Sequence, residues 1–229
     1  MGSQRFQMNR AIFLIVVVAC FFAKNLLADT NISYSVSVGS PVPEGNPAGI
    51  VSSANVSGLA GNVLNVQVSL NITGGFNGDL YAYLAGPGGG FAVLLNRVGI
   101  TSGNPFGYAD SGFNITLGDG YSNIHNYQNA DYTITGGQLV GNYAPDGRNI
   151  NPQSTGSVFD LASTASSLNV FNASNPNGTW TLFVADLASG GGSPQLVSWG
   201  LTIAIPEPQS WAIILTGGGL LLAMRQRRS

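Results

Sequence analysis

Cysteine is almost absent from this sequence: Cys20 is the only one, and it sits inside an apolar run near the N-terminus. Beyond that run the chain therefore has no disulfide, no thiol nucleophile and no CxxC metal site. Charge is scarce as well, 8% of residues against about 25% in an average domain. Amides and hydroxyls must solvate the surface instead. Histidine occurs once, as His125, and glutamate twice, as Glu44 and Glu207. A glycosidase pair of glutamates is excluded, because Glu44 lies in a Pro-rich stretch and Glu207 near the C-terminus. A serine triad would have to use His125, and no Gly-x-Ser-x-Gly elbow accompanies it. In its Asn/Tyr-rich surroundings, Ser122 to Tyr127, His125 is expected to be a solvated loop residue.

The few cations are unevenly spread. Arg5, Arg10, Lys24, Arg225, Arg227 and Arg228 lie in the terminal segments. Between 29 and 205 only Arg97 and Arg148 remain, against Asp29, Glu44, Asp79, Asp110, Asp119, Asp131, Asp146, Asp160 and Asp186, a net of -7. A domain of that sign repels phosphate backbones, so no nucleic-acid partner is expected.

Arg5 and Arg10 precede an unbroken apolar run from Ala11 to Phe22, followed by Leu26-Leu27-Ala28 and the polar Asp29-Thr30-Asn31. This order is that of a secretory signal peptide over 1–28, cleaved after Ala28 and handled by the export machinery. A permanent anchor is the alternative, but a helix of this run would reach only ~18 Å across a ~30 Å hydrocarbon core. A lipoprotein box at Val17-Val18-Ala19-Cys20 is the other, and Phe21-Phe22 directly after the cysteine argues against it.

At the far end, Pro206-Glu207-Pro208 is followed by Trp211, a mostly apolar stretch to Met224, and Arg225, Arg227 and Arg228. Trp211 suits the membrane interface and the arginines favour the cytoplasmic side, which places the preceding domain outside. The stretch would make a short transmembrane helix of ~21 Å, softened by Gly217-Gly218-Gly219, a temporary hold or a minimal span with snorkelling arginines. Pro-Glu-Pro, a nearby Trp, a Gly-containing apolar helix and an arginine cluster in this order resemble the PEP-CTERM sorting signal, covering 205–229. The resemblance implies an exosortase-type sorting enzyme as partner. It also implies a Gram-negative source that makes extracellular polysaccharide, with this protein at the cell surface or in the matrix.

Between the ends, Leu64, Val66, Val68, Leu70 and Ile72 alternate with polar residues, as do Val197, Trp199, Leu201 and Ile203, and Trp180, Leu182 and Val184. Period 2 marks half-buried strands. Gly74-Gly75, Gly86 to Gly90, Asp146-Gly147 and Gly190 to Gly192 punctuate them as turns. No long segment has a helical period, so the expected class is an all-β sandwich or jelly roll. Residues 29–59 are expected as an extended arm or leading strand ahead of a domain at 60–204.

Gly78-Asp79-Leu80, Leu84, Gly86-Pro87-Gly88, Asn177-Gly178-Thr179-Trp180-Thr181-Leu182 with Asp186, and Ser198-Trp199-Gly200-Leu201 resemble the P domain (P/Homo B) found behind subtilisin-like proprotein convertases. The family often carries a His shortly before Gly-Asp-Leu, where this chain has Thr73-Gly74-Gly75-Phe76. The resemblance implies a jelly-roll β-sandwich of about eight strands without the protease domain.

The chemistry left open is binding. Asp79, Asp119 and Asp186, with Asp110 and Asp131 also available, are candidate calcium ligands, since calcium takes hard oxygens. Tyr81, Tyr83, Tyr121, Tyr127 and Tyr143 are candidates for stacking on sugars. The expected role is that of an exported, non-catalytic surface or matrix protein, adhesive or structural. The alternative is a calcium-dependent module that binds glycan or protein.

Overall fold

A computed structural model describes residues 29–207. The predicted signal peptide, and Pro208, Trp211, Arg225, Arg227 and Arg228 of the predicted sorting signal, lie outside the described residues. Among those described, no helix is long and apolar enough to cross a membrane.

Ten strands follow one another: β1 (Asp29–Pro41), β2 (Asn46–Val56), β3 (Asn65–Thr73), β4 (Leu80–Ala85), β5 (Phe91–Asn96), β6 (Gly112–Leu117), β7 (Thr133–Thr135), β8 (Gln138–Tyr143), β9 (Gly178–Asp186) and β10 (Gln195–Pro206). They form two sheets, a six-stranded one in the order β1-β10-β3-β6-β8-β7 and a four-stranded one in the order β2-β9-β4-β5. Among the described residues a single short helix, α1 (Gly156–Leu161), and three 3-10 turns fill the connections.

The alternation seen in the sequence is what joins the sheets. Val66, Val68, Leu70 and Ile72 of β3 and Phe113, Ile115 and Leu117 of β6 face inward from one sheet. Leu80, Ala82 and Leu84 of β4 and Trp180, Leu182 and Val184 of β9 face them from the other. A two-layer sandwich buries one side of each sheet in this way.

Three expectations change. Leu64, placed at the head of the β3 alternation, precedes the strand and is 40% exposed. In β10 the register with β3 slips between Leu196 and Ser198. A bulge of this kind adds a residue and reverses the faces on either side of it. Leu196 consequently joins Trp199, Leu201 and Ile203 in the core, and Val197 does not. Residues 29–59, expected as an extended arm or a leading strand, are two strands of the sandwich itself. They supply β1 to one sheet and β2 to the other, and the compact unit runs from Asn31 to Ile205 without a boundary at 60.

One connection departs from simple antiparallel pairing. β6 and β8 are parallel, Phe113 opposite Leu139 through Leu117 opposite Tyr143. Parallel neighbours need a crossover, and residues 118–137 provide it with the 3-10 turn Ile124–Asn129 and the antiparallel hairpin β7–β8. The hairpin turns through Gly136 and Gly137, both at positive φ (61° and 91°). Two consecutive left-handed residues make the tight turn whose twist matches paired strands, and glycine adopts them without strain.

Candidate functional site

The crossover between β6 and β8 encloses a cleft of about 300 Å³. The 3-10 turn that supplies Asn126 and Tyr127 to its lining is capped by Asn123. The Asn123 side chain accepts from the His125 amide (2.9 Å) and donates to the carbonyls of Pro145 (2.8 Å) and Asp146 (3.0 Å). One wall is Tyr127, buried, whose hydroxyl donates to Asp110 Oδ2 (2.7 Å) and accepts from Asn77 Nδ2 (3.2 Å). Burial together with the donation to Asp110 raises the Tyr127 phenol above its ordinary value. Tyr132 and Tyr143 meet the Tyr127 ring edge-on, at 5.5 and 6.3 Å. Asn126, Asp131 and Asn142 line the same space. Its volume is at the small end of ligand clefts, about 300 to 1,000 Å³, and its chemistry is phenol, amide, hydroxyl and one carboxylate.

Of the tyrosines proposed for stacking, only Tyr127 and Tyr143 reach this cleft. Tyr121 is exposed outside the cleft lining. Tyr81 and Tyr83 stand on the outer face of the four-stranded sheet, where Tyr83 lies against Phe183 (4.9 Å, 15°) on one side and Phe91 (4.8 Å, 40°) on another. Those contacts occupy the Tyr83 ring, and offset aromatic pairs of this kind hold the sheet together. Tyr132, 42% exposed, is the tyrosine that sequence reasoning missed.

The same 3-10 turn carries His125 into a buried ion cluster. His125, expected in solvent, is 1% exposed. Its Nδ1 is 2.6 Å from Asp146 Oδ2 and its Nε2 is 3.0 Å from the Ile100 carbonyl. A carbonyl only accepts, so Nε2 carries a proton, and a second proton lies between Nδ1 and the carboxylate. Neither ring nitrogen is free to take a proton from a nucleophile. The Asp146 carboxylate also accepts from Arg148 Nη1 (3.1 Å) and from the amides of Asn96 and Arg148, while Arg148 Nε donates to the Phe159 carbonyl. Asp146-Gly147, read as a turn from sequence, is the hub of the cluster. The signal that points to it is scarcity: a sandwich with two arginines and one histidine has placed them where a buried carboxylate needs neutralising.

The second arginine does the same work elsewhere. Arg97 Nη2 lies 3.8 Å from Asp79 Oδ1, and its Nε donates to the Gly78 carbonyl. Asp79 and Asp186 come together because they occupy corresponding ends of neighbouring strands, with Leu80 opposite Asp186 and the Leu187 amide donating to the Asp79 carbonyl. Asp186 is fully buried. One carboxylate oxygen accepts from the Ala188 amide, and Oδ2 has no partner. Burial pushes the Asp186 carboxyl up to about 6, against the pull of the Ala188 amide and with the charge of Asp79 adding to the rise. Glu44, not singled out from sequence, acts on it too, and is itself held by the Gly190 amide at 2.6 Å.

Asp119, the third predicted calcium ligand, is not part of this group: it follows β6 in the other sheet and accepts from the Leu168 amide. Asp110 is engaged by Tyr127 and Gln128, and Asp131 by its place in the cleft. Among the described residues no three His, Cys, Asp or Glu side chains are grouped as a metal site.

A pH dependence follows from Asp186. Between the ordinary 3.8 and about 6 the folded protein binds more protons at this group than the unfolded chain does. Stability therefore falls as pH rises through that window, by on the order of 2 to 3 kcal/mol, and levels off above it. Asp79, displaced upward by burial, acts in the same direction. Asp186→Asn should flatten the slope and raise the urea midpoint at pH 7.5, measured in EDTA. A wild-type midpoint that climbs from pH 4.5 to 7.5 would contradict this.

No family model matches the chain, and no curated protein matches it. Solved structures that resemble it distantly include two of one enzyme. One is the serine protease of Aeromonas sobria in complex with its chaperone, at 16% identity and a TM-score of 0.46, over 83% of this chain and 30% of that one. The other is the serine protease of Aeromonas sobria, at 15% identity and 0.44, over 78% and 27%. This chain thus spans under a third of each matched chain.

Proposed function

We propose that the chain is an exported, non-catalytic surface or matrix protein of a Gram-negative bacterium, a P-domain-like jelly roll that holds extracellular polysaccharide in the cleft between β6 and β8. The observation that carries the binding role is the cleft itself, three tyrosines with Asn126, Asn142 and Asp131. Tyrosine faces and edges pack on the C–H surfaces of a sugar while amides and a carboxylate take its hydroxyls. The cations agree with a neutral ligand: Arg97 and Arg148 are both turned inward onto carboxylates. Export rests on the N-terminal charged and apolar segments. Sorting rests on Pro206, Glu207 and Pro208 with Trp211 and the arginine tail, which a membrane-bound exosortase-type enzyme would recognise.

The test is retention of the full-length protein on immobilised exopolysaccharide and on a glycan array. Wild type should bind. Tyr132→Ala and Asn142→Ala, exposed or rim positions, should weaken binding about tenfold or more, the loss of about 1.4 kcal/mol that one stacked ring or a pair of hydrogen bonds supplies. Silence across both formats, or binding unchanged in both variants, would refute the cleft.

Calcium dependence is the second reading, and the unpartnered Asp186 Oδ2 beside Asp79 favours it. In that case 1 mM calcium raises the melting temperature of wild type at pH 7.5 and leaves Asp186→Asn unmoved. An equal response of the two proteins, or none, removes calcium from this site.

A further inference from the structure

Four strands form the lateral edges of the two sheets, β1 and β7 in one and β2 and β5 in the other. An open edge offers unpaired backbone groups to any passing strand, and proteins blunt it with charge, proline, bulges, shortness or a cover. Three of the four edges carry such devices. The free side of β5 is covered by the segment after β8: the Asp146 and Gly147 amides donate to the Leu94 and Val93 carbonyls (3.0 and 3.1 Å), and the Val93 amide donates to Ser166 Oγ (3.2 Å). β7 is three residues long. β2 loses its register between Asn46 and Ile50, at Pro47 and a left-handed Gly49.

β1 has one irregularity only, a left-handed Gly39 (φ 63°) near its C-terminal end, which leaves Ile32 to Val38 regular. It runs for 13 residues; its one charge, Asp29, is its first residue and its one proline, Pro41, its last. Among the described residues no strand lies on its outer side. Ile32, Tyr34, Val36 and Val38 pack against the core from this strand yet stay partly exposed, because the layer ends there.

The sequence of β1 is complementary to itself. Full antiparallel overlap of two copies of Asp29–Pro41 puts the two-fold axis at Ser35. Ile32 then stands opposite Val38 and Tyr34 opposite Val36 on the core side, while Ser33 stands opposite Ser37 and Ser35 opposite its own copy on the outer side. Apolar pairs face apolar pairs and hydroxyls face hydroxyls, the cross-strand matches that stabilise a sheet. Asp29 meets Pro41, so no like charges come together. A shift of one residue would set the apolar residues against serines, so the register is specified. We infer that β1 pairs with β1 of a second copy of this chain, joining the two six-stranded sheets edge to edge across a two-fold axis. Such an interface is isologous and closes at the dimer. It would give each assembly two clefts, and so raise its hold on a repeating polymer by avidity. The dimer itself rests on β1 and stands whether or not the cleft binds sugar.

The test uses the full-length chain carrying Cys20→Ser, so that an introduced cysteine is alone. Residues directly opposite in an antiparallel pair have Cα atoms about 4.5 to 5.5 Å apart, within disulfide reach. Under mild oxidation Ser35→Cys should give a disulfide-linked dimer on a non-reducing gel. Ser33→Cys and Ser37→Cys should each stay monomeric alone and cross-link when mixed. Ser53→Cys, exposed on β2, should stay monomeric. A Ser35→Cys chain that cross-links no more than Ser53→Cys overturns the proposal. So does a pattern indifferent to position, or a cross-link to a different protein. Ser35→Lys, which needs no oxidation, should reduce the dimer fraction at a given concentration at least tenfold, with recovery on mixing with Ser35→Glu. Unchanged urea midpoints in the single variants separate loss of pairing from loss of fold.

Discussion

Asp146→Ala should cost the protein about 3 to 5 kcal/mol, the penalty for leaving buried charge without its partner. The carboxylate is fully buried and is the one acceptor shared by the His125 ring, the Arg148 guanidinium and two backbone amides. Its removal strands a mostly buried cation at Arg148 and an N–H at the fully buried His125 Nδ1. It also unfastens residues 146 to 148 from the edge of β5, where the Asp146 and Gly147 amides bond to Leu94 and Val93. A chain with a total stability of about 5 to 15 kcal/mol has little left after such a loss. For this size of domain the melting temperature should drop by on the order of 10 °C or more. His125→Leu should cost less, because it takes away one partner and leaves Asp146 with Arg148. Thermal melts of the two variants check the order, and a drop in His125→Leu that equals or exceeds the drop in Asp146→Ala would show that the carboxylate is not the hub.

Trp180→Ala is the second large effect, again about 3 to 5 kcal/mol. Trp180 is fully buried in β9, its indole N–H donates to the Pro176 carbonyl at 2.8 Å, and its ring meets Phe171 at 4.9 Å. The pair is roofed by the β4–β5 turn. A Cβ at Gly90 or Gly86 would come within 2.6 or 2.9 Å of the Phe171 ring, which is why those two positions are glycine. Truncating the indole opens a void that the turn and Phe171 can only partly fill, and it leaves the Pro176 carbonyl without its donor. Trp180→Phe keeps most of the volume and loses the hydrogen bond, so it should cost less than half as much. Urea titration of both variants, followed in the near-ultraviolet, reads the difference. Equal midpoints for Ala and Phe would assign the loss to the hydrogen bond rather than to packing.

The parts of the fold that were legible in the sequence are those with an uninterrupted local period. β3 and β9 declare themselves by alternating apolar residues that fill the core. β10 declares itself only beyond its bulge, because one inserted residue exchanges the two faces and puts Leu196, not Val197, inside. Residues 29–59 were legible only as an extended arm or a leading strand, since their prolines and β-branched residues suit both, and only the pairing of β1 with one sheet and β2 with the other decides for strands.

The candidate sites were less legible, for a related reason. Asp79 and Asp186 are 107 positions apart and meet through strand pairing, which no spacing rule captures. Asp119 has the same residue type and a similar turn context but belongs to the other sheet. His125 sits in a segment with no period at all, and its burial depends on Ile100 from the β5–β6 connection and on Asp146 and Phe159 from the β8–β9 connection. The cleft exists because β8 runs parallel to β6, a pairing that a chain of otherwise antiparallel strands does not advertise.

The place of β10 has a further consequence in time. Among the described strands it is the last in sequence, yet it lies between β1, the first of them, and β3. A chain that emerges from its N-terminus can lay down the four-stranded sheet as soon as β9 appears. The six-stranded sheet must wait, because its first strand has no neighbour until the last is complete. Trp199, Leu201 and Ile203 reach the core at that same moment. Contacts this far apart in sequence make folding slow, and here they also make it late. The six-stranded sheet stays open until β10 has been made, and the sandwich closes only then.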